Sequence, residues 1–232
     1  MEAIVECRNL HKTYRRGEVG VHALRGIDLR IARGDFLALA GPSGSGKTTL
    51  LNLIGGLDHF DDGEIFVAGE AIKQMDANRA TELRLHHIGF VFQAYNLIPV
   101  LSALENVEYV MLLQGVPTRQ RRRDAARILD EVGLEDMHDR RPAQLSGGQQ
   151  QRVAVARAIV SQPELVLADE PTANLDSQTG TDLLERMLEL NRDRGITFIF
   201  STHDTRVMDY ARRLIHLRDG RIDSDAKPDE HA

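Results

Sequence analysis

The alternation of apolar and polar positions divides the chain into three parts. In the first part, short apolar runs of strand length are separated by turns such as Asp61-Asp62-Gly63. These runs span residues 3–10, 26–31, 36–40 and 63–67. From this pattern we predict a small antiparallel layer laid against the core of the domain.

The middle part, from about residue 96 to residue 160, has a helical pattern instead. Prolines punctuate it, and apolar residues recur at the spacing of one helix face, as Ala125, Ile128, Leu129 and Val132 do. Alternation of strand and helix returns with residues 165–168, 181–191 and 197–201, which is typical of parallel α/β connections. The core is therefore predicted to be split in sequence by a helical insertion.

Composition narrows the class of protein. The 232 residues include 42% hydrophobic residues and carry a formal net charge of −6, which argues against a protein that coats nucleic acid. The single cysteine, Cys7, has no intramolecular partner, and the first residues lack a signal-peptide pattern, so we expect a cytoplasmic location. No window approaches the roughly 18 consecutive apolar residues of a membrane span, so a membrane role would need a partner.

The most informative motif is the glycine-rich run Gly41-Pro42-Ser43-Gly44-Ser45-Gly46-Lys47-Thr48. It follows the apolar run 36–40 and precedes an apolar helical pattern over residues 49–54, as a phosphate loop requires. Glycines permit positive φ angles, so successive backbone N–H groups can face one anion. The Lys47 ammonium can contact the β and γ phosphates, and the Thr48 hydroxyl is placed to ligate Mg²⁺.

Two acids and a histidine follow the strands of the last part. Asp169-Glu170 ends the run 165–168, and His203 comes shortly after the run 197–201. Because ligands of parallel sheets lie at the carboxyl ends of the strands, we expect these side chains beside the phosphate loop. Asp169 suits an outer contact to Mg²⁺, Glu170 can orient an attacking water, and His203 can contact the γ-phosphate.

A second anion-binding motif, Leu145-Ser146-Gly147-Gly148-Gln149, precedes an apolar helical pattern over residues 153–160. The Ser146 hydroxyl and the N–H groups of Gly147 and Gly148 can donate to a phosphate at a helix start. Taken alone, the same residues fit an ordinary structural helix cap equally well.

These motifs, in this order, make the chain resemble the nucleotide-binding subunits of ATP-binding cassette (ABC) transporters over almost its whole length. LSGGQ is that family's signature, and Gln93 after the run 88–92 matches its glutamine loop. Ala173-Asn174-Leu175-Asp176 matches its D-loop, and His203 its switch histidine. Tyr14 matches the aromatic residue on which that family stacks adenine.

The resemblance implies an α/β fold of the P-loop NTPase, ABC-ATPase type. It comprises a RecA-like parallel-sheet core, an N-terminal antiparallel β subdomain and a helical insertion. We expect one domain over residues 1–232, with the core and β subdomain at about 1–93 and 161–222 and the helical signature subdomain at about 94–160. Residues 223–232 are expected to form a loose tail.

The resemblance also implies an ATPase with ATP and Mg²⁺ as cofactors. The expected catalytic residues are Glu170, His203 and Gln93, and the expected metal ligands are Thr48, Gln93 and Asp169. The expected nucleotide-binding residues are Tyr14, Gly41, Pro42, Ser43, Gly44, Ser45, Gly46, Lys47, Thr48, Thr49, Ser146, Gly147, Gly148, Gln149 and Asp176. In that family two copies associate head to tail with ATP between them, so we expect a homodimer with ATP at its interface.

The segment 92–107 resembles a narrower branch, that of the lipoprotein-release (LolD-type) and macrolide-efflux (MacB-type) ATPases, with cell-division (FtsE-type) ATPases as near relatives. In the family this region receives a short helix from the membrane subunit. Residues between Tyr95 and Leu104 are more apolar than a surface loop needs, so we expect separate integral membrane subunits to dock there. The protein would then lie peripherally at the cytoplasmic face of the inner membrane. Packing of the same side chains against the core is the alternative.

A basic cluster, Arg119, Arg121, Arg122 and Arg123, precedes a helix predicted over residues 124–132. It is interpreted either as a solvated face or as a contact to anionic lipid or to a partner's acids. The competing functional class is an ABC ATPase that acts on nucleic acid or ribosomes. Such proteins usually carry two cassettes or a long coiled-coil insertion, neither of which this sequence shows, and we expect no nucleic-acid partner.

Overall fold

Two β-sheets form the framework of the computed structural model, which describes residues 2–16 and 19–226. The strands are β1 (Ala3–Arg16), β2 (Val19–Ala32), β3 (Phe36–Ala40), β4 (Asp62–Val67), β5 (Glu70–Ala71), β6 (Ile88–Val91), β7 (Leu165–Asp169), β8 (Thr197–Thr202), β9 (Arg213–Arg218) and β10 (Arg221–Ala226). The helices are α1 (Lys47–Ile54), α2 (Ala77–His87), α3 (Ala103–Leu113), α4 (Thr118–Glu131), α5 (Gly147–Ile159), α6 (Ser177–Arg194) and α7 (Thr205–Tyr210). Short 3₁₀ turns lie at Ile72–Gln74 and Pro142–Gln144.

The two sheets differ in strand direction. The first has the order β2-β1-β4-β5, and all its neighbouring strands are antiparallel. The second has the order β10-β9-β3-β8-β7-β6, in which every pair from β9 to β6 is parallel and β10 is antiparallel to β9. Because β3, β6, β7 and β8 run the same way, their carboxyl ends meet at one edge. The residues that follow these strands are therefore neighbours in space.

Strand β3 is buried on both faces, which explains its continuous apolar run. Phe36 and Ala38 belong to a core that the helical insertion and α6 close, whereas Leu37 and Leu39 belong to a second core under α1 and the antiparallel sheet. The Phe36 ring lies 4.7 Å from the ring of Phe200 on β8, measured between centroids. Because successive side chains of β3 point to opposite faces, this one strand contributes to both cores.

The structure confirms the predicted class, an α/β domain with an antiparallel β layer and a helical insertion, and it extends several elements. Strand β1 continues to Arg16, and the helix after LSGGQ begins at Gly147. Helix α2 and strand β9 were not predicted, because their apolar positions are few or follow no clear period.

Two further expectations are corrected. Residues 223–226 are not a loose tail, because they continue β10, which pairs with β9; residues 227–232 lie outside the described part. The arginines of the basic cluster lie inside α4 rather than ahead of it. Arg121 and Arg122 face the buried Glu108 of α3, with N–O distances of 3.2 and 3.8 Å, so packing of α3 on α4 neutralises part of the cluster. Within the described ranges, no helix is both long and apolar enough to cross a membrane.

Candidate nucleotide site

The glycine-rich loop leaves β3 at Ala40 and curls directly into α1. Gly41 and Gly46 have φ angles of 143° and 106°, and both lie against backbone of other strands. A Cβ atom on Gly41 would lie 2.2 Å from the carbonyl oxygen of Leu217, and one on Gly46 would lie 2.6 Å from that of Ala23. Glycine is therefore required at both positions by conformation and by close approach.

Two side chains of α1 point into the loop and towards the strand edge. The Lys47 ammonium is largely buried and donates to the carbonyl oxygens of Gly41 at 2.8 Å and Pro42 at 3.1 Å. An ammonium group has three N–H donors, so one remains for a further acceptor. The Thr48 hydroxyl donates to Asp169 at 3.0 Å, which joins the start of α1 to the end of β7.

Glu170 has an unusual backbone conformation for a residue with a side chain. Its φ angle is +48°, and its N–H donates to the carbonyl oxygen of Ser201 on β8 at 2.8 Å. The carboxylate lies 2.7 Å from Nδ1 of the exposed His203 and accepts a longer hydrogen bond, 3.4 Å, from the Thr202 hydroxyl. A left-handed non-glycine residue is strained by roughly 1–3 kcal/mol, and such strain is concentrated at functional sites.

These groups surround a cavity of about 550 Å³ at the carboxyl edge of the parallel sheet. It is lined by Tyr14, Val21, Ala23, Ser43, Gly44, Gly46, Lys47, Thr48, Thr49, Gln93, Asp169, Glu170 and His203. All but Val21 and Ala23 were singled out from the sequence. Those two lie on β2, where Val21 pairs with Tyr14 across the antiparallel sheet. The resemblance indicated through Tyr14 that the antiparallel sheet reaches the site, but no local signal marks the two small residues of β2.

Tyr14 stands at the edge of the cavity with 41% of its surface exposed. Its hydroxyl donates to Asp58 at 2.8 Å. Partial burial, together with this hydrogen bond to a carboxylate, raises the pKa of Tyr14, so the phenol stays neutral. The ring is thus a neutral aromatic surface beside the phosphate loop.

The second anion-binding motif does not line this cavity. Ser146 caps α5: its hydroxyl accepts from the N–H of Gln149 at 3.3 Å, and its own N–H donates to the Gln149 side chain at 2.9 Å. Gly147 and Gly148 allow close packing, because a Cβ atom would lie 3.0 Å from the Tyr95 hydroxyl in the first case and 2.6 Å from Thr179 in the second. Within one copy, the motif therefore caps α5 and lies apart from the phosphate loop.

Asp176 also lies outside the cavity lining, as do Gly41, Pro42 and Ser45. The last three belong to the phosphate loop itself, whereas Asp176 caps α6 and accepts from the N–H of Thr179 at 3.0 Å. Hydrogen bonds from Thr179 lower the pKa of Asp176 below its ordinary value.

The segment after Gln93 is held by Arg157, which the sequence did not single out, and by Asn174 of the D-loop motif. Tyr95 and Asn96 both have positive φ angles, 59° and 51°. Arg157 of α5 donates to their carbonyl oxygens, at 2.8 Å for Tyr95 and 2.5 Å for Asn96, and the burial that this requires lowers the pKa of Arg157. Asn174 donates to the carbonyl oxygen of Gln93 at 3.1 Å. The glutamine segment is thus tied to both the helical insertion and the region before α6.

The apolar residues between Tyr95 and Leu104 are only partly available at the surface. Leu97 and Leu104 pack against the core of the helical insertion, and Val100 is exposed. Beside this segment lies a mainly apolar groove of about 350 Å³. It is lined by Leu57, Thr81, Arg84, Leu85, Ile88, Gly89, Phe90, Phe92, Asn96, Val110, Arg157, Ala158 and Ser161. Leu97 and Leu104 are thus partly buried by core packing, and docking of a membrane subunit at this segment stays a prediction.

The residues expected to hold Mg²⁺ supply oxygen donors. Thr48 and Asp169 are in contact, and Gln93 lines the same cavity. Oxygen is the donor that Mg²⁺ prefers, and magnesium in such sites is bound through few protein ligands together with substrate phosphates. In the described part of the chain, no group of three or more His, Cys, Asp or Glu residues could hold a metal ion by itself. The donor set fits a metal that arrives with a nucleotide.

The fold and the cavity together define a P-loop nucleotide-binding domain of the α/β class. A family model described as "ABC transporter" matches residues 24–173. The chain is 46% identical over 223 residues to an uncharacterised ABC transporter ATP-binding protein of Thermotoga maritima, covering 96% of this chain and 95% of that protein. It is 45% identical over 227 residues to the macrolide export ATP-binding/permease protein MacB of Sodalis glossinidius, covering 98% of this chain but only 35% of that protein.

A solved structure gives the same assignment. The ATP-binding cassette MJ0796 of Methanocaldococcus jannaschii, a dimer in a post-hydrolysis state with ADP and Pi, matches with a TM-score of 0.91 and 42% identity, covering 96% of this chain and 98% of that one. The chain belongs to the ABC transporter family. It is an ATP-binding domain of that family with ATPase activity, and its close relatives belong to the LolD/MacB branch.

Alanine substitutions at two glycines of the loop should affect stability and ATP binding differently. Gly46→Ala should lower the free energy of unfolding by about 2–5 kcal/mol, because left-handed strain adds to the clash with Ala23. Gly44→Ala should cost only about 1–2 kcal/mol, because its φ of +79° is strained but no atom lies within 4 Å of the new Cβ. Urea unfolding of both variants measures the difference, and equal losses would contradict it. Because Gly44 lines the cavity, its variant should nevertheless bind ATP more weakly than the wild type.

Proposed function

We propose that this chain is the ATP-hydrolysing subunit of an ABC membrane complex and that it works as a homodimer with ATP at the interface. The observation that carries the proposal is that the phosphate loop and the cap at Ser146 lie apart in one copy. The phosphate loop lines the cavity, whereas Ser146, Gly147 and Gly148 lie outside it. A second copy, placed head to tail, would supply the missing surface to each cavity. The dimeric structure of MJ0796 with ADP and Pi supports this arrangement.

The residues of the cavity divide the chemistry among them. The loop N–H groups and Lys47 bind the phosphates, and Thr48, Asp169 and Gln93 would hold Mg²⁺, which neutralises phosphate charge when bound. Glu170 orients the attacking water and accepts its proton, since its carboxylate ends a buried strand at the cavity edge. His203 is exposed apart from its contact to Glu170, so its ring can turn to the γ-phosphate with little loss of packing.

The membrane partner is proposed to dock in the apolar groove next to residues 95–104. The groove contains Asn96 and Arg157, which connect it to Gln93 and to the signature helix α5. MacB of Sodalis glossinidius is named as an ATP-binding/permease protein. The present chain covers 35% of its length. We infer that separate integral membrane subunits serve this chain, for efflux or lipoprotein release, from the cytoplasmic face of the inner membrane. A cell-division role of the FtsE type is the alternative.

The catalytic role of Glu170 is tested by Glu170→Gln. Turnover of ATP should fall by about 10²-fold or more, the scale of general-base loss, while ATP binding is retained. The variant should also dimerise more persistently with ATP, because hydrolysis no longer opens the dimer. Steady-state hydrolysis and size-exclusion chromatography with ATP measure the two effects. Hydrolysis at the wild-type rate would exclude Glu170 as the base.

The two-surface model is tested by comparing Lys47→Ala with Ser146→Arg. Lys47→Ala should weaken ATP binding by the monomer, because the triphosphate loses its nearest cation. Ser146→Arg should leave that binding intact and abolish ATP-dependent dimerisation, because a bulky cation occupies the second surface. Both are measured in the Glu170→Gln background, which keeps ATP unhydrolysed. An equal loss of monomer affinity in the two variants would contradict the model.

The docking groove is tested with a matched pair of leucines. Leu57 lines the groove and is 46% exposed, whereas Leu112 is 47% exposed and lies outside the lining. Leu57→Asp should abolish retention of the membrane subunits, because docking would have to desolvate a carboxylate in a mainly apolar groove, and ATPase activity of the isolated chain should persist. Leu112→Asp should retain the complex. Co-purification measures this, and equal retention by both variants would contradict the groove assignment.

A further inference from the structure

Two charged residues contact the Tyr14 side chain from outside the cavity. Lys12 precedes Tyr14 by two positions on β1, so both side chains lie on the same face of the antiparallel sheet. Asp58 lies on the loop that follows α1, the helix of the phosphate loop. Neither Lys12 nor Asp58 lines the cavity, whereas Tyr14 does. The chemistry of the phosphates makes no use of either residue.

The Asp58 carboxylate joins the other two side chains through separate oxygens. Oδ2 accepts from the Tyr14 hydroxyl at 2.8 Å, and Oδ1 accepts from the Lys12 ammonium at 3.0 Å. Lys12 also donates to the carbonyl oxygen of His59 at 2.5 Å. The same ammonium lies 4.8 Å from the centroid of the Tyr14 ring, within the range of a cation–π contact. The ring is therefore held at its hydroxyl and on one face.

Burial differs sharply across this cluster. Lys12 is only 8% exposed, whereas Tyr14 is 41% exposed. Burial by itself opposes ionisation of Asp58, but the hydrogen bonds from Tyr14 and Lys12 outweigh it and lower the pKa of Asp58 below its ordinary value. The carboxylate thus remains charged and keeps both partners. Lys12 thus covers one face of the Tyr14 ring, while the residue stays partly exposed at the edge of the cavity.

The loop that carries Asp58 is tied to β1 at further points. Asp61 accepts from the N–H of Thr13 at 2.6 Å, and its own N–H donates to the carbonyl oxygen of His11 at 2.9 Å. These bonds flank Lys12 on both sides. The position of the Tyr14 ring is consequently coupled to the loop after α1, while the other end of α1 carries Lys47 and Thr48.

We propose that Asp58 and Lys12 are positioning residues that fix the Tyr14 ring as the stacking surface for the nucleotide base. The inference rests on the proposed function and on the expectation, drawn from the family resemblance, that Tyr14 stacks on adenine. A ring fixed in advance loses less rotamer freedom when the base binds, so the base binds more tightly. The ring selects a planar aromatic base on the face opposite Lys12, and the Asp58 loop sets the distance between base and phosphates.

The test compares a ligand that has a base with one that has none. Asp58→Ala should raise the Kd for Mg²⁺-ATP by about tenfold, which is part of the loss expected when a base–aromatic stack is removed. The Kd for Mg²⁺-tripolyphosphate should stay within about twofold, because the phosphate loop is unchanged. In hydrolysis assays the KM for ATP should rise while kcat changes little. Isothermal titration calorimetry on the full chain measures both affinities.

Matched variants identify the cause of any change. Glu70 of β5 has the same side-chain exposure as Asp58, 30%, and forms an ion pair with Arg79 of α2 outside the cavity lining, so Glu70→Ala should leave both affinities unchanged. Asp58→Asn should retain part of the ATP affinity, because an amide oxygen still accepts from the Tyr14 hydroxyl. Lys12→Met should weaken ATP binding in the same base-dependent way, because Asp58 and the ring lose their cation.

A double variant separates failure of the inference from failure of the base contact. Tyr14→Ala should weaken ATP binding by at least about tenfold, and adding Asp58→Ala should have no further effect, because Asp58 acts through the ring. If Tyr14→Ala weakens ATP binding but Asp58→Ala does not, or if Asp58→Ala weakens tripolyphosphate binding equally, the positioning role is overturned. If Tyr14→Ala leaves ATP binding unchanged, the proposed base contact is wrong, and the inference falls with it.

Discussion

The exit of β3 into the phosphate loop is the constraint on which the rest of the site depends. The loop passes between Leu217 of β9 and Ala23 of β2, and the backbone at Gly41 and Gly46 leaves no space for a side chain. Because one of these neighbours belongs to the parallel sheet and the other to the antiparallel sheet, the loop is fixed by both layers at once. The backbone N–H groups that would face a phosphate are therefore oriented before any ligand arrives, which is how electrostatic binding sites avoid reorganisation.

The parallel register adds the catalytic groups to this loop. Asp169 at the end of β7 lies opposite Ser201 on β8, and Glu170 continues that pairing with a left-handed turn. The turn keeps the Glu170 carboxylate beside Thr202 and His203. Backbone strain at this residue is balanced by the hydrogen bonds of the two buried strands. The acid at the end of β7 and the histidine after β8 thus form a contact that neither strand would form alone.

The glutamine segment connects this edge to the helical insertion. Arg157 holds two consecutive residues in the left-handed region through their carbonyl oxygens, and Asn174 holds Gln93 from the other side. The groove proposed for the membrane partner shares Asn96 and Arg157 with this arrangement. A change in either the nucleotide cavity or the groove therefore acts on the same few hydrogen bonds. This gives the proposed coupling a short physical path.

The antiparallel sheet has a larger part in the site than its sequence indicates. It supplies Val21, Ala23 and Tyr14 to the cavity wall. It also carries Lys12, whose ammonium would ordinarily be expected in solvent but is nearly buried against Asp58 and the Tyr14 ring. The wall around Tyr14 thus includes contacts between residues far apart in sequence, such as Tyr14 and Asp58, which are 44 positions apart.

The sequence by itself determined the elements whose signal is local. The phosphate loop, the acids after β7 and the histidine after β8 follow from short motifs beside continuous apolar runs, because a buried parallel strand needs apolar residues on both faces and ends at the ligand edge. The cap at Ser146 and the helical insertion are equally local in origin. Only the tertiary structure decided which side chains of other elements meet these motifs.

The tertiary structure alone decided the pairing of Tyr14 with Asp58, the hydrogen bonds of Arg157, and the salt bridges from α4 to Glu108 of α3. Each joins residues distant in sequence whose types are common on protein surfaces, so no periodicity marks them. The same holds for Leu97 and Leu104, whose apolar character fits a docking surface and a core equally well. In the structure both side chains pack against the core and stay partly exposed. Burial depends on the whole fold. A local pattern of polar and apolar residues cannot specify which distant side chains will cover a given residue.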